Sequence, residues 1–258
     1  MPKLDLTKAR RIKGGMGELA ALKGAGFSWR RHPLTDFYGV GPGQIAVHFD
    51  TEHIEGTSSA ITKLINRGGG GAFFDAPVTG APLVATNGTV ALSSSTGTPR
   101  IDNRADIVGV RMMWVCTVDY LVSSTKFFGA TGYEVRVAAR QADFANFVQL
   151  WSNTTGAGLV SSLGPRARFP ASGLMLMELD TTVAETRFFL NGVLQSTSTD
   201  PLPWSNFYVQ LIGQGNANTV PFNGQMGDVL GVTLGAGSPA AISAARTYLA
   251  DKYGISLP

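Results

Sequence analysis

Apolar residues in this chain fall in short runs separated by polar and glycine-rich intervals, a spacing that predicts strands rather than long helices. The densest stretch is 173–195, which reads Gly-Leu-Met-Leu-Met-Glu-Leu-Asp, a polar connection, then Arg-Phe-Phe-Leu-Asn-Gly-Val-Leu-Gln. Residues 174–179 are apolar at nearly every position. Such a run predicts a strand covered on both faces, at the centre of a two-layer β structure. Asn191-Gly192 sits between two apolar runs and predicts a tight hairpin, because both central residues of a type I′ turn need positive φ. Further strands are expected at 44–49, 89–93, 106–118, 133–139, 144–151, 186–191, 193–196, 207–212 and 225–233. Turn clusters separate them at intervals typical of sandwiches and jelly rolls. One helix closes the pattern: Ser238 is placed to cap it, Pro239 takes the first helical position, Ile242, Ala245, Leu249 and Tyr253 mark one face, and Gly254 stops it. That face is expected to pack on the sandwich and cover an edge or end.

Composition narrows the class. A chain of 258 residues is long enough for one sandwich domain with a full core plus an extension. Charged residues make up 15% and apolar ones 44%, which argues against a mainly helical protein and excludes general disorder. Cys116 is the single cysteine and lies in an apolar run, so it is expected to be a small buried hydrophobe outside any disulfide framework. No apolar run has the length of a bilayer span, so membrane insertion is not expected, and nothing directs the chain to a secretion pathway.

Charge is uneven. Residues 1–31 hold eight Lys and Arg against Asp5 and Glu18, a net +6, which leaves −3 for the rest of a +3 chain. Within this arm Leu4, Lys8, Arg10, Arg11, Ile12, Lys13, Leu19 and Leu22 are the candidate anchor residues. Gly14, Gly15 and Gly17 divide it into two short helical pieces, which need docking to be ordered. Residues 32–34 and 39–43 read as a Pro/Gly connection that is neither helix nor central strand. The expected division is therefore an arm and linker at 1–43 and a body at 44–258. No aromatic series interleaves the basic residues, so docking on a larger protein assembly is expected and nucleic acid is not.

The stretches "ETRFFLNGVLQS" at 185–196, "FYVQLIG" at 207–213, "FNGQMGDVLGVTLG" at 222–235 and "SPAAISAARTYLADKYGI" at 238–255 together resemble the final third of concanavalin A-like, or laminin-G-like, jelly-roll domains. The likeness extends over roughly residues 45–256 and implies an all-β fold of two antiparallel sheets, a jelly-roll sandwich, and often carbohydrate or cell-surface binding. The N-terminal "LDLTKARRIKGGMGELAALKGAGFSW" is similar to the start of structural proteins of tailed phages and gene transfer agents. Together the two resemblances imply a non-enzymatic virion-surface accessory of head-fibre, spike, decoration or tail-fibre type. They place it on the virion surface after assembly in the host cytoplasm, as a homo-oligomer. Its partners would be capsid or tail proteins through residues 1–43, with host cell-surface polysaccharide as ligand and no cofactor. The alternatives are a glycoside hydrolase of the same fold and a purely structural decoration subunit.

Each chemistry has its candidates. Retaining glycosidases need two carboxylates close together, and Glu178 and Asp180, two apart on one strand, are the pair a hydrolase would use. A Glu-x-Asp-x-Glu pattern is missing its third carboxylate here, and pairing with an arginine such as Arg187 is the plainer expectation. His48, Asp50, Glu52, His53 and Glu55 are metal-ligand types without zinc or calcium spacing. A solvated strand-to-loop edge is expected there, and no metal. Sugars stack on aromatic faces and are held by amides, which singles out Trp151 with Asn153, and Trp204, Asn206 and Tyr208 near Asn216 and Asn218.

Overall fold

The computed structural model describes residues 32–69, 71–92, 98–106, 110–117, 125–130, 133–139, 146–152, 173–181, 186–198, 208–212, 224–235 and 238–258. Helix α1 spans Pro33–Tyr38 and helix α2 spans Ser238–Tyr253. The strands of the first half are β1 Ile45–Phe49, β2 Ile54–Thr57, β3 Ala60–Leu64, β4 Ala76–Thr79, β5 Ala85–Thr86, β6 Thr89–Leu92, β7 Thr98–Asp106 and β8 Val110–Cys116. Those of the second half are β9 Thr125–Ala130, β10 Tyr133–Ala139, β11 Asn146–Ser152, β12 Met175–Thr181, β13 Thr186–Leu190, β14 Val193–Ser198, β15 Tyr208–Ile212 and β16 Gly224–Thr233.

These strands form two antiparallel sheets, an all-β sandwich. The first runs β14-β13-β12-β8-β16-β6-β5, with β1 beside β16; the second runs β11-β10-β9-β15-β7-β4-β3-β2. The centre of the first sheet shows why 174–179 and 110–116 are apolar at all but one position each, Glu178 and Arg111. Met112, Trp114 and Cys116 of β8 and Met175, Met177 and Leu179 of β12 enter the core between the sheets, where they meet Ile61, Leu64 and Leu83. The alternate residues Met113, Val115 and Leu176 face the other way, onto Ala241, Ile242, Ala245 and Leu249 of α2. Both faces are covered, so strict alternation of apolar and polar residues is lost. Each of the large side chains so covered contributes roughly 1.5–3 kcal/mol. The Cys116 thiol is fully buried in the core, and burial pushes its pKa up.

The hairpin at Asn191-Gly192 has the expected backbone, with φ of 47° and 81°. Its Asn191 Oδ1 accepts a hydrogen bond from the Leu176 N–H at 2.8 Å, which ties the turn to β12. A second Asn-Gly turn, Asn87 (φ 51°) and Gly88 (φ 78°), joins β5 to β6.

Two expectations about local structure are corrected. The run 106–118 is not one strand: Asp106 ends β7, Val110 begins β8, and residues 107–109 and 118 lie outside the described residues. Residues 32–34 are not an irregular connection but the start of α1. Pro33 occupies the first turn, where a missing N–H costs nothing. His32 Nδ1 caps the helix by accepting from the Leu34 N–H at 3.2 Å, and Gly39 ends it in the left-handed conformation at φ 68°. Leu34 and Val40 are buried against the same side of the first sheet as α2.

Candidate functional site

The outward side of the first sheet carries two clusters of buried charge beneath α2. Glu178 lies opposite Met113 and Phe189, and Asp180 opposite Arg111 and Arg187. The period of two thus places both carboxylates on the helix-covered side. Glu178 is fully buried and accepts from Arg246 Nε at 2.7 Å, Arg246 Nη2 at 2.8 Å and Arg111 Nη1 at 3.2 Å. Asp180 Oδ2 accepts from Arg111 Nη2 and Arg187 Nη2, each at 2.7 Å. The Phe189 ring lies under the Arg111 guanidinium at 4.2 Å. The bond to Glu178 raises the Arg246 pKa. A glycosidase acid must hold a proton, and its partner must face a sugar. Here both carboxylates are ion-paired and closed off, an arrangement suited to joining helix to sheet.

The second cluster forms around Asp228. The β16–β8 register slips between Met226 and Val229, a bulge that turns Gly227 and Asp228 together toward α2. Gly227 has no room for a side chain: a Cβ there would lie 2.7 Å from the Tyr253 ring and hydroxyl. The Asp228 carboxylate is met by Tyr253 Oη at 2.7 Å, Lys252 Nζ at 2.9 Å, His48 Nε2 at 3.0 Å and Tyr248 Oη at 3.1 Å. Burial alone would raise the Asp228 pKa, but the Lys252 ammonium and the His48 bond outweigh it and hold it below the usual value. The Lys252 pKa, which burial would lower, is raised instead by Asp228 and Asp50. Burial pushes the Tyr248 and Tyr253 phenols up, so both stay donors. Next to this group, Asp50 Oδ1 accepts from the Glu52 and His53 N–H groups at 2.9 and 2.8 Å, and Oδ2 accepts from Arg67 Nη1 at 2.7 Å.

Hydrogen bonding fixes the histidine tautomers. His32 Nδ1 accepts from a backbone N–H, so the neutral ring carries its proton on Nε2 and donates to His48 Nδ1 at 2.7 Å. His48 in turn carries its proton on Nε2 and donates to Asp228. The expected solvated edge is therefore corrected for His48 and Asp50, which are 0% and 2% exposed, while Glu52 and Glu55 remain at the surface. His48, Asp50 and Asp228 bring donor atoms within 4.8 Å of one another, yet they do not fit a divalent ion. The carboxylates are already held by Lys252 and Arg67. A metal on His48 Nε2 would also reverse both tautomers and set two N–H groups against each other at Leu34.

Two of the sugar-binding candidates, Trp151 and Tyr208, lie on described strands. Trp151 lies on β11, opposite Glu134 of β10, and Tyr208 begins β15. Pairing runs from Trp151 through Glu134 and Gly129 to Leu211. Tyr208 therefore lies on a strand separated from β11 by two others. Asn153, Trp204, Asn206, Asn216 and Asn218 lie outside the described residues, as do the arm residues Leu4, Lys8, Arg10, Arg11, Ile12, Lys13, Leu19 and Leu22. Missing from the sequence-level candidates were His32, Arg111, Asp228, Arg246 and Lys252. Asp228 alone carried a signal, as the one acidic residue in an otherwise apolar and glycine-rich final strand.

No protein-family model and no curated protein sequence matches the chain. Solved structures do. Domain 4 of AbnA, a GH43 extracellular arabinanase from Geobacillus stearothermophilus, in complex with arabinotriose, is similar at TM-score 0.56 and 13% identity. The match covers 78% of this chain and 98% of that one. Trypanosoma rangeli sialidase in complex with sialic acid is similar at TM-score 0.52 and 12% identity, over 91% of this chain and 39% of that one. Its complex with the inhibitor DANA gives 0.51 and 12% over 88% and 39%. The chain thus spans about two fifths of the sialidase length. These likenesses show the β-sandwich fold. They correct the expectation of a non-enzymatic virion-surface accessory of a phage or gene transfer agent, because the neighbours are parts of glycoside-processing proteins. The N-terminal phrase that suggested a phage arm is short, basic and broken by glycines, and such composition carries little fold information.

Proposed function

We propose that this sandwich recognises carbohydrate as part of glycoside processing, and that the ligand lies against the second sheet. The observation that carries this reading is the ladder of β10 and β11. Trp151 pairs with Glu134 and Gln149 with Arg136, alternating with Leu150–Val135 and Val148–Val137. Over these four pairs the polar and aromatic positions therefore share one side of the ladder and the aliphatic ones the other, with Phe147–Ala138 continuing the first side and Tyr133–Ser152 the second. An aromatic position beside carboxylate, guanidinium and amide positions is what stacking on a sugar ring and gripping its hydroxyls requires. The first sheet is unsuited, because α2 and the ion pairs close its outward side. The arabinotriose and sialic acid of the similar structures support the same ligand class.

The test is retention of the full chain on a panel that includes arabinan oligosaccharides and sialylated glycans, with reducing-sugar release measured in parallel. Binding to at least one member is expected, weakened about tenfold or more in Trp151→Ala, the loss of roughly 1.4 kcal/mol of stacking. Absence of binding across the panel overturns the proposal. Sugar release that survives Glu178→Gln would locate hydrolysis at carboxylates other than Glu178 and Asp180.

A further inference from the structure

We propose that His32 and His48 form an acid-sensitive latch, which docks α1 onto the first sheet and releases it when the pair takes up a proton. The argument is one of proton counting along the chain Leu34 N–H to His32 Nδ1, His32 Nε2–H to His48 Nδ1, and His48 Nε2–H to Asp228. Every ring nitrogen is engaged, and all three N–H groups point the same way. One more proton on either ring has two outcomes. It separates the imidazoles, or it drives a proton onto His32 Nδ1, where it faces the Leu34 N–H and removes the cap of α1.

Leu34 and Val40 are buried beside Ile45, Leu230 and Tyr248, the Tyr38 ring meets Tyr248 edge-on at 5.8 Å, and Tyr38 Oη reaches Asp251 at a long 3.3 Å. The charged and titratable groups acting on His32 are His48 on β1, Asp50 just after it, Arg67 following β3 and Asp228 on β16; behind His48, Tyr248, Lys252 and Tyr253 of α2 meet the Asp228 carboxylate. Asp228 and Asp50 favour a charged ring, but burial, His48 and Arg67 oppose it and take the His32 pKa down to about 3. The docked segment therefore refuses a proton that the released segment accepts near the ordinary value of 6.5. As pH falls below that value, the released form gains on the docked one by up to tenfold per pH unit.

Amide hydrogen exchange of the full chain between about pH 7 and pH 4, with labelling times scaled to the intrinsic rate, reads the latch directly. The α1 amides and Val40 N–H are expected to lose protection several-fold to tenfold per pH unit while those of β8 and β16 keep theirs. His32→Asn preserves a capping oxygen without a titrating ring, and should flatten that dependence. Nitrogen-15 spectra of the histidine rings at neutral pH should show both protons on Nε2. The proposal is overturned if His48 carries its proton on Nδ1, if the α1 amides and β16 lose protection together, or if His32→Asn opens at the same pH as the parent. Should His32→Asn already be unprotected at neutral pH, the tautomers and the parent profile decide.

Discussion

Replacing Glu178 with Gln tests whether this buried carboxylate is structural. The substitution keeps shape and one acceptor oxygen but removes the charge that faces Arg246 at 2.7 and 2.8 Å and Arg111 at 3.2 Å. Breaking a buried ion pair from one side typically costs about 3–5 kcal/mol, because the other charge is left uncompensated. Two features pull the expected value toward about 3 kcal/mol within that range. Arg246 is 22% exposed and can reach water, and Arg111 still has Asp180. At about 2–4 °C per kcal/mol for a chain of this size, the melting temperature should fall by roughly 6–12 °C. Arg246→Met should cost at least as much, since it leaves the fully buried Glu178 with only the 3.2 Å contact to Arg111. The double variant should be less damaged than the sum of the two by about 1–3 kcal/mol. Urea denaturation followed by far-UV circular dichroism supplies all three numbers. Near-parent stability in both single variants would refute the reasoning, as would a Glu178→Gln protein of normal stability that had lost glycan turnover.

Gly227→Ala forces a methyl group to within 2.7 Å of the Tyr253 ring. It should cost about 1–3 kcal/mol, and combination with Tyr253→Leu should recover part of that in the same denaturation assay. Leu190 packs against the inter-sheet core, so Leu190→Asp buries an unpaired carboxylate at several kcal/mol and should yield insoluble protein, whereas Leu190→Met should stay soluble. Asp50 and Asp228 are held below their ordinary pKa of 3.8. Their contribution to stability is complete above about pH 4 and is lost as pH falls through the folded-state values. Urea midpoints should therefore decline below about pH 4 even in His32→Asn, and a flat midpoint down to about pH 3 would contradict the assigned ion pairs.

Strands covered on both sides, or closed by a turn with demanding φ, could be read from sequence. Residues 110–116 and 174–180 are largely apolar, interrupted only by Arg111, Glu178 and Asp180, because α2 and the second sheet take alternate side chains, and Asn191-Gly192 fixes its own hairpin. The β2–β3 hairpin could not be read this way. Residues Ile54–Thr57 are largely exposed, so no apolar alternation marks them, and their pairing is visible only in the structure. Asn87-Gly88 carried the same turn signal as Asn191-Gly192 and 89–93 read as strand after it, but the two-residue β5 before it was too short to mark a partner. The spacing of Glu178 and Asp180 correctly implied one shared side of a strand. What that side meets was hidden, because Arg111 lies 67 residues before Glu178 and Arg246 lies 68 after it. His48 likewise finds Asp228 at a separation of 180 residues. Chemistry assembled from distant strands leaves no local spacing to recognise.

The two buried clusters make most sense as a single device. The apolar stripe of α2, Ala241, Ile242, Ala245 and Leu249, supplies area, but small residues alone permit the helix to slide or turn on a flat sheet. Arg246 on Glu178 and Lys252 with Tyr253 on Asp228 are six to seven residues apart, about 9–10 Å along the axis. Two directional contacts at that separation fix both rotation and translation. Buried ion pairs add little net stability compared with apolar packing, and fixing a unique arrangement is the use to which such groups are suited. With α2 held in this way, α1 has a defined surface to dock on.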